Sequence, residues 1–350
     1  MKYPVNQGYR KYHGRRSRGK TALAVLLVLV ILASVGFIFV QEKILVFDET
    51  GKSYFRLPGR QTEEEVLPKE EIDLTIETVP EKEIAQEVWT VRGILTPVPL
   101  DRENGSLAAR EARELFGEDA AVAVTLKDSA GTVYFDSDSA LPGTVRFLEE
   151  DTDVALNAVL SRGSHTIVRI SCFHDPKAAN REVESMGLKN TGGFIFYDGN
   201  NSQWLDPAKP AAREYLRALA CEAAAMGFDE IMLTDFSYPT EGKLDKIAYG
   251  EADREETLSS FLMELRTALE SYSVMLSVEI PEQVILHGGD EAAGLHLGML
   301  ADLVDCIYAE TAPERAETLE TAVEQAGTAV FVPILEAYSE EMAGNCLIMQ

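Results

Sequence analysis

From Trp89 onward the chain repeats one theme, a short apolar run followed by a stretch with helical rhythm. The runs lie at 90–95, 120–126, 165–171, 194–197, 230–235, 273–280, 303–308 and 328–334. Several of them (IVRIS, EIMLTD, VMLSVEI, AVFVPI) are apolar on both faces, as parallel strands covered on both sides must be. Between them, residues 211–226 carry Ala, Leu and Glu in a 3.6-residue rhythm that stops at Gly227, and 258–269 and 313–325 repeat the pattern. This alternation over 89–334 predicts an α/β fold, a (β/α)8 TIM-like barrel, whose usual length is about 250 residues. A doubly wound open sheet is the alternative, but no Gly-rich phosphate fingerprint follows any run.

With 350 residues, 46% of them hydrophobic, the chain can bury a large core. Its 32 Lys and Arg against 58 Asp and Glu give a net charge of −26, which argues against a nucleic-acid partner. The imbalance is uneven. Residues 1–41 hold seven of the basic residues and no acid, so the remainder carries a net charge of −33. Residues 21–40, TALAVLLVLVILASVGFIFV, contain no charge and are long enough to span a bilayer. The basic head places their N-terminal side in the cytoplasm. A cleaved signal peptide, with Ala33 and Ser34 near the cleavage site, is the alternative.

These features divide the chain into a basic cytoplasmic tail (1–20), a transmembrane signal anchor (21–40), a flexible acidic stalk (41–87) and an extracytoplasmic barrel domain (88–350). The stalk's Glu runs and prolines leave too little apolar surface to offset ordering, with 74–79 the one stretch resembling a strand. Cys172, Cys221, Cys306 and Cys346 lack the close spacing of a zinc or redox motif, so no metal and no cofactor are expected. Cys172 and Cys306 read as small core residues.

In a barrel the chemistry sits at the C-terminal ends of the strands. Arg169 in VRIS and Glu279 ending MLSVEI are charges inside apolar runs, and such charges need a partner or a function. The plain alternative is that they pair with each other. Asp235 ends EIMLTD, Asp305 and Glu310 flank CIYAE, and His174 and Asp175 follow the third run in CFHDP, where a helix cap is the plain alternative. Trp204 stands in SQWLDP, as a stacking surface for a sugar or as a packing residue. Two carboxylates at one mouth, here Asp235 and Glu279, are the minimum for glycoside hydrolysis.

The run GFDEIMLTDFSYPTEGK (227–243) resembles the glycoside-hydrolase-like domains of bacterial surface proteins, TIM barrels related to α-amylase-type and α-galactosidase-type enzymes. The resemblance extends through VRGIL, AVAVTLKDSAGTVYF, VRISCFHDPKAA, GGFIFYDGNNSQWLDPAKP, LSVEI and VDCIYAE, and so covers nearly all of 89–334. Arg169, Asp175, Trp204, Asp206, Pro207, Asp229, Glu230, Pro239 and Glu279 stand where such domains carry similar residues. Thr125 and Thr234 stand where they tend to carry Asp, and Ser237 near where they carry Arg. The resemblance implies a membrane-anchored glycoside hydrolase acting on cell-wall or environmental polysaccharide. Asp235 is then nucleophile or stabiliser, Glu279 general acid/base, Arg169 the cation that keeps the nucleophile ionised, and Tyr238, Trp204, His174 and Asp175 the substrate-binding set. The two threonines keep a second reading open, a degenerate barrel that binds glycan or an envelope partner without turnover. A structural ectodomain of an envelope assembly is a third.

Overall fold

The computed structural model describes residues 45–47, 53–55, 90–96, 102–146, 149–160, 165–250, 253–338 and 344–350. The chain divides into two units, Met1–Glu83 and Ile84–Gln350. In the first, Leu45–Phe47 pairs antiparallel with Ser53–Phe55, a small ribbon inside the stretch read as stalk. The tail, the apolar segment 21–40, the rest of the stalk and the expected strand at 74–79 lie outside the described residues. Among the described residues no helix is long and apolar enough to cross a membrane.

The second unit is a closed barrel of eight parallel strands. In chain order these are β1 (Arg92–Leu95), β2 (Ala121–Lys127), β3 (Thr166–Ser171), β4 (Glu230–Thr234), β5 (Met275–Glu279), β6 (Cys306–Glu310), β7 (Val330–Leu335) and β8 (Cys346–Met349). Neighbours in sequence are neighbours in space, and β8 closes on β1 through Cys346↔Arg92 to Met349↔Leu95. The helices are α1 (Arg102–Phe116), α2 (Glu149–Leu160), α3 (Pro176–Arg181), α4 (Pro210–Ala225), α5 (Arg254–Leu269), α6 (Glu282–His287), α7 (Leu297–Leu303) and α8 (Pro313–Ala326).

The expected α/β barrel is thus present, with two strands reassigned. Residues 194–197 are not a barrel strand. They belong to the long β3–α4 connection, where Lys189↔Ile195 is an isolated bridge and Phe194 is 73% exposed. A run of aromatics looked like a buried strand, but Phe194 and Tyr197 face water. The eighth strand is Cys346–Met349, beyond the range 89–334 in which the alternation was read.

Strand alternation sorts the wall into two faces. Val122, Val124, Val168, Ile170, Ile231, Leu233, Leu276, Val278 and Ile307 pack outward under the helices. The inner apolar layer is Ala121, Ala123, Ile167, Met232, Cys306, Tyr308, Val332, Ile334 and Leu347. At Gly93 an added Cβ would collide with the Ala121 carbonyl oxygen, so the close approach of β1 to β2 requires glycine. Gly227, at φ +99°, ends α4 as the sequence reading expected. All four cysteines are free, and Cys172 and Cys306 are fully buried.

Candidate active site

Polar and charged side chains interrupt the inner layer where the strands end. β2 contributes Thr125 and Lys127, β3 Arg169 and Ser171, β4 Thr234, β5 Glu279 and β6 Glu310, each in phase with the inner face. A bulge between Thr125 and Lys127, where Thr125 pairs with Arg169 and Lys127 with Ile170, re-aims the end of β2. A cavity of about 640 Å³ opens there, lined by Thr125, Lys127, Arg169, Asp235, Glu279 and Glu310 among others.

Arg169 binds Glu279, with Nε 3.0 Å and Nη2 2.5 Å from Oε2. The guanidinium therefore serves the acid on β5; the sequence reading had assigned it to Asp235. Both bonds fall on one oxygen, so the arginine does not engage Oε1. Burial pushes the Glu279 carboxyl up from its ordinary value; Arg169 opposes this, and the like charges of Glu310 and Asp235 add to it.

Asp235 reaches the cavity by an unusual route. β4 ends at Thr234, and Asp235 takes the left-handed conformation at φ +49°, uncommon and strained for a residue with a Cβ. That turn brings a side chain one residue out of phase into the mouth. The Ser171 hydroxyl donates to its Oδ2 at 2.6 Å. Asp235 and Glu279 thus face one cavity, and Thr125 and Thr234 line it beside them.

The remaining expected substrate-binding residues are not in the lining. Asp175 is fully buried, capping α3 through the Ala178 amide at 2.8 Å, with Lys127 Nζ 3.0 Å from its Oδ2. Tyr238 is buried edge-to-face on Tyr249, and burial pushes its phenol up to about 12. His174 and Trp204 stack on each other with centroids 4.6 Å apart. The Trp204 indole donates to Asp198 and the His174 ring pairs with Ser202, each at 2.8 Å or less. Asp305 lies at the opposite end of β6, accepting from the Leu276 amide and pairing with Arg266.

Residues 116–329, more than half of the chain, match the family model described as "Putative glycosyl hydrolase domain". The chain belongs to this glycosyl hydrolase domain family. Its fold resembles that of the glycoside hydrolase domain of PgaB (BpsB) from Bordetella bronchiseptica, at 15% identity and a TM-score of 0.51, over 71% of this chain and 84% of that one. A hypothetical protein from Ruminiclostridium thermocellum is 26% identical, with a TM-score of 0.44, over 50% of this chain and 90% of that one. The glycoside hydrolase domain of PelA from Pseudomonas aeruginosa is 14% identical, with a TM-score of 0.38, over 70% and 83% of the two chains. No curated protein matches the sequence.

Within this glycosyl hydrolase domain, the residues behind the initial resemblance fall into two groups. Asp175, Asp206 and Asp229 hold backbone amides, those of Ala178, Ala208 and Thr166 respectively, and so fix the fold. Arg169 and Glu279 face the cavity. The sequence reading missed Lys127, fully buried at the end of β2, whose Nζ donates to the Ser171 carbonyl at 2.7 Å. Its signal was the one that found Arg169, a charge in an apolar run. Among the described residues no cluster of His, Cys, Asp and Glu could hold a metal.

Proposed function

We propose that the protein is a membrane-anchored glycoside hydrolase acting on extracytoplasmic polysaccharide. The observation that carries this reading is the pairing of unlike carboxylates at one barrel mouth. Glu279 is raised by burial and half-satisfied, and Asp235 is held by the Ser171 hydroxyl over the same cavity. A carboxyl with a raised pKa retains its proton closer to neutrality and can donate it to the departing glycosidic oxygen. Glu279 takes that general-acid role. Asp235 attacks the anomeric carbon or stabilises the positive charge that develops there. Arg169 then limits how far burial raises Glu279 and orients it through Oε2. The uncharged segment 21–40 and the seven basic residues before it support an anchor with a cytoplasmic N-terminus.

The test is release of new reducing ends from polysaccharide by the full-length protein, repeated with Asp235→Asn. Turnover in the wild type that falls by about 10²-fold or more in the variant agrees with the assignment. Full activity in the variant removes Asp235 from the mechanism. The position of Thr125 and Thr234 in the lining, where related domains tend to carry acids, favours the second reading of a glycan-binding barrel. Saturable binding without any reducing-end release would establish it.

A further inference from the structure

The cations of the mouth are already committed. Lys127 pairs with Asp175, Arg169 with Glu279, and Arg315 with Glu282 at 2.7 Å. A second cavity of about 470 Å³ adjoins the first, and Glu282 and Glu310 line both. Glu336 lines the second cavity. Among the described residues, Asp128, Asp235, Glu310 and Glu336 belong to no ion pair, Asp128 accepting instead from the Ala130 and Thr132 amides and the Tyr134 hydroxyl. The two cavities therefore hold four carboxylates that no cation neutralises, and at Asp235, Glu310 and Glu336 the charge is not taken up by a network of local hydrogen bonds like that of Asp128.

Two further features bear on what fills this space. Thr125 lines the first cavity and is 6% exposed, and its buried hydroxyl has no hydrogen-bond partner. A buried hydroxyl left unpaired costs free energy that a ligand's polar group would recover. Among the described residues, the only aromatic ring in either lining is that of Phe236, itself buried, so none of them offers an open platform for stacking a sugar face. Recognition there falls to charge and hydrogen bonds.

We infer that the ligand of these joined cavities is a glycan carrying free amino groups, that is, a polysaccharide with unacetylated hexosamine units. The ammonium groups would neutralise the surplus at Asp235, Glu310 and Glu336, and a sugar hydroxyl or amine would satisfy Thr125. A uronic-acid or sulfated polymer would meet repulsion from the same carboxylates. This inference rests on the reading of the mouth as a glycan site and adds the class of glycan it takes.

The experiment is titration calorimetry of the full-length protein with three tetrasaccharides of equal length, built from glucosamine, N-acetylglucosamine or galacturonic acid. It is run under mildly acidic conditions that keep the amines charged, at low and high salt. The glucosamine oligomer is expected to bind about tenfold more tightly than the acetylated one, a difference of about 1.4 kcal/mol. That preference should shrink with salt, and the galacturonate should not bind. The variant Glu310→Gln/Glu336→Gln, altered at two exposed side chains, should lose most of the preference. Equal or tighter binding of the acetylated oligomer, a preference unchanged in that variant, or no binding of any oligomer overturns the inference. Reducing-end release measured on the same samples separates the two claims. Selective binding without release defeats hydrolysis alone, and release without amine preference defeats this inference alone.

Discussion

Two glutamates on adjacent strands occupy the interior of one barrel and behave in opposite ways. Glu230 opens β4 at the floor, fully buried, with His165 Nε2 2.7 Å from Oε2 and the Ser277 hydroxyl on Oε1. Glu279 closes β5 at the mouth, with 16% of its side chain exposed and a single arginine on a single oxygen. At the floor both carboxylate oxygens are satisfied and neither borders a cavity described above. At the mouth one oxygen is not engaged by the arginine, the cavity is open, and neighbouring acids push against the charge. A fully satisfied buried carboxylate holds a fold together, whereas a half-satisfied one beside open space is available for chemistry.

The largest effect that would sharpen this contrast is at the floor. Glu230→Ala removes the carboxylate that His165 and Ser277 share at the floor and should cost about 3 kcal/mol of stability. Chemical denaturation measures it, and a loss below about 1 kcal/mol would mean that the floor network does not bear on stability. Arg169→Met at the mouth should cost less, roughly 1–2 kcal/mol, because both partners are still reached by water. The same variant should move the pH limb assigned to Glu279 upward, since the cation opposing burial is gone. A pH profile of kcat/KM with an unmoved or lowered limb would break the link between the two residues.

Smaller effects follow. Ser171→Ala removes the hydrogen bond that orients Asp235 and should lower kcat roughly tenfold with KM little changed. An equal change in KM would make Ser171 a substrate contact. The smallest effect is in the pH dependence of stability. Because the Glu279 pKa is raised on folding, its contribution is present below the ordinary carboxylate pKa and is lost as pH rises through the folded value. Wild type should therefore lose stability relative to Glu279→Gln as pH climbs through that window, then hold a constant difference. Thermal melts across the window check this, and a difference that grows in the wild type's favour reverses the sign.

Much of the barrel was legible because strand periodicity survives in single runs. Arg169 and Glu279 could be singled out because each breaks an apolar run, and the structure pairs them as the plain alternative had it. Lys127 broke a run by the same rule and passed unnoticed. The strand position of Asp235 put it at the mouth, but the backbone turn that takes it there was not legible. Period-two reasoning sends it to the wrong face, and only a left-handed backbone at φ +49° turns it back. Asp175 and Tyr238 looked functional by residue type, yet a cap, an ion pair and a ring contact absorb them into the fold. Sequence spacing cannot reveal such partners, because they come from distant segments. The strand at Cys346–Met349 escaped because no helical stretch follows it within the sequence to complete the strand–helix alternation that marked the others.

The most direct test of this division between floor and mouth is turnover per folded molecule, measured on one glycan for wild type, Glu230→Gln and Glu279→Gln of the full-length chain. Turnover in Glu279→Gln should fall by about 10²–10⁴-fold with its fold intact, while Glu230→Gln loses stability and keeps its turnover once corrected for unfolded protein. Undiminished turnover in Glu279→Gln, or an equal loss in both variants after that correction, would contradict the assignment of chemistry to the mouth.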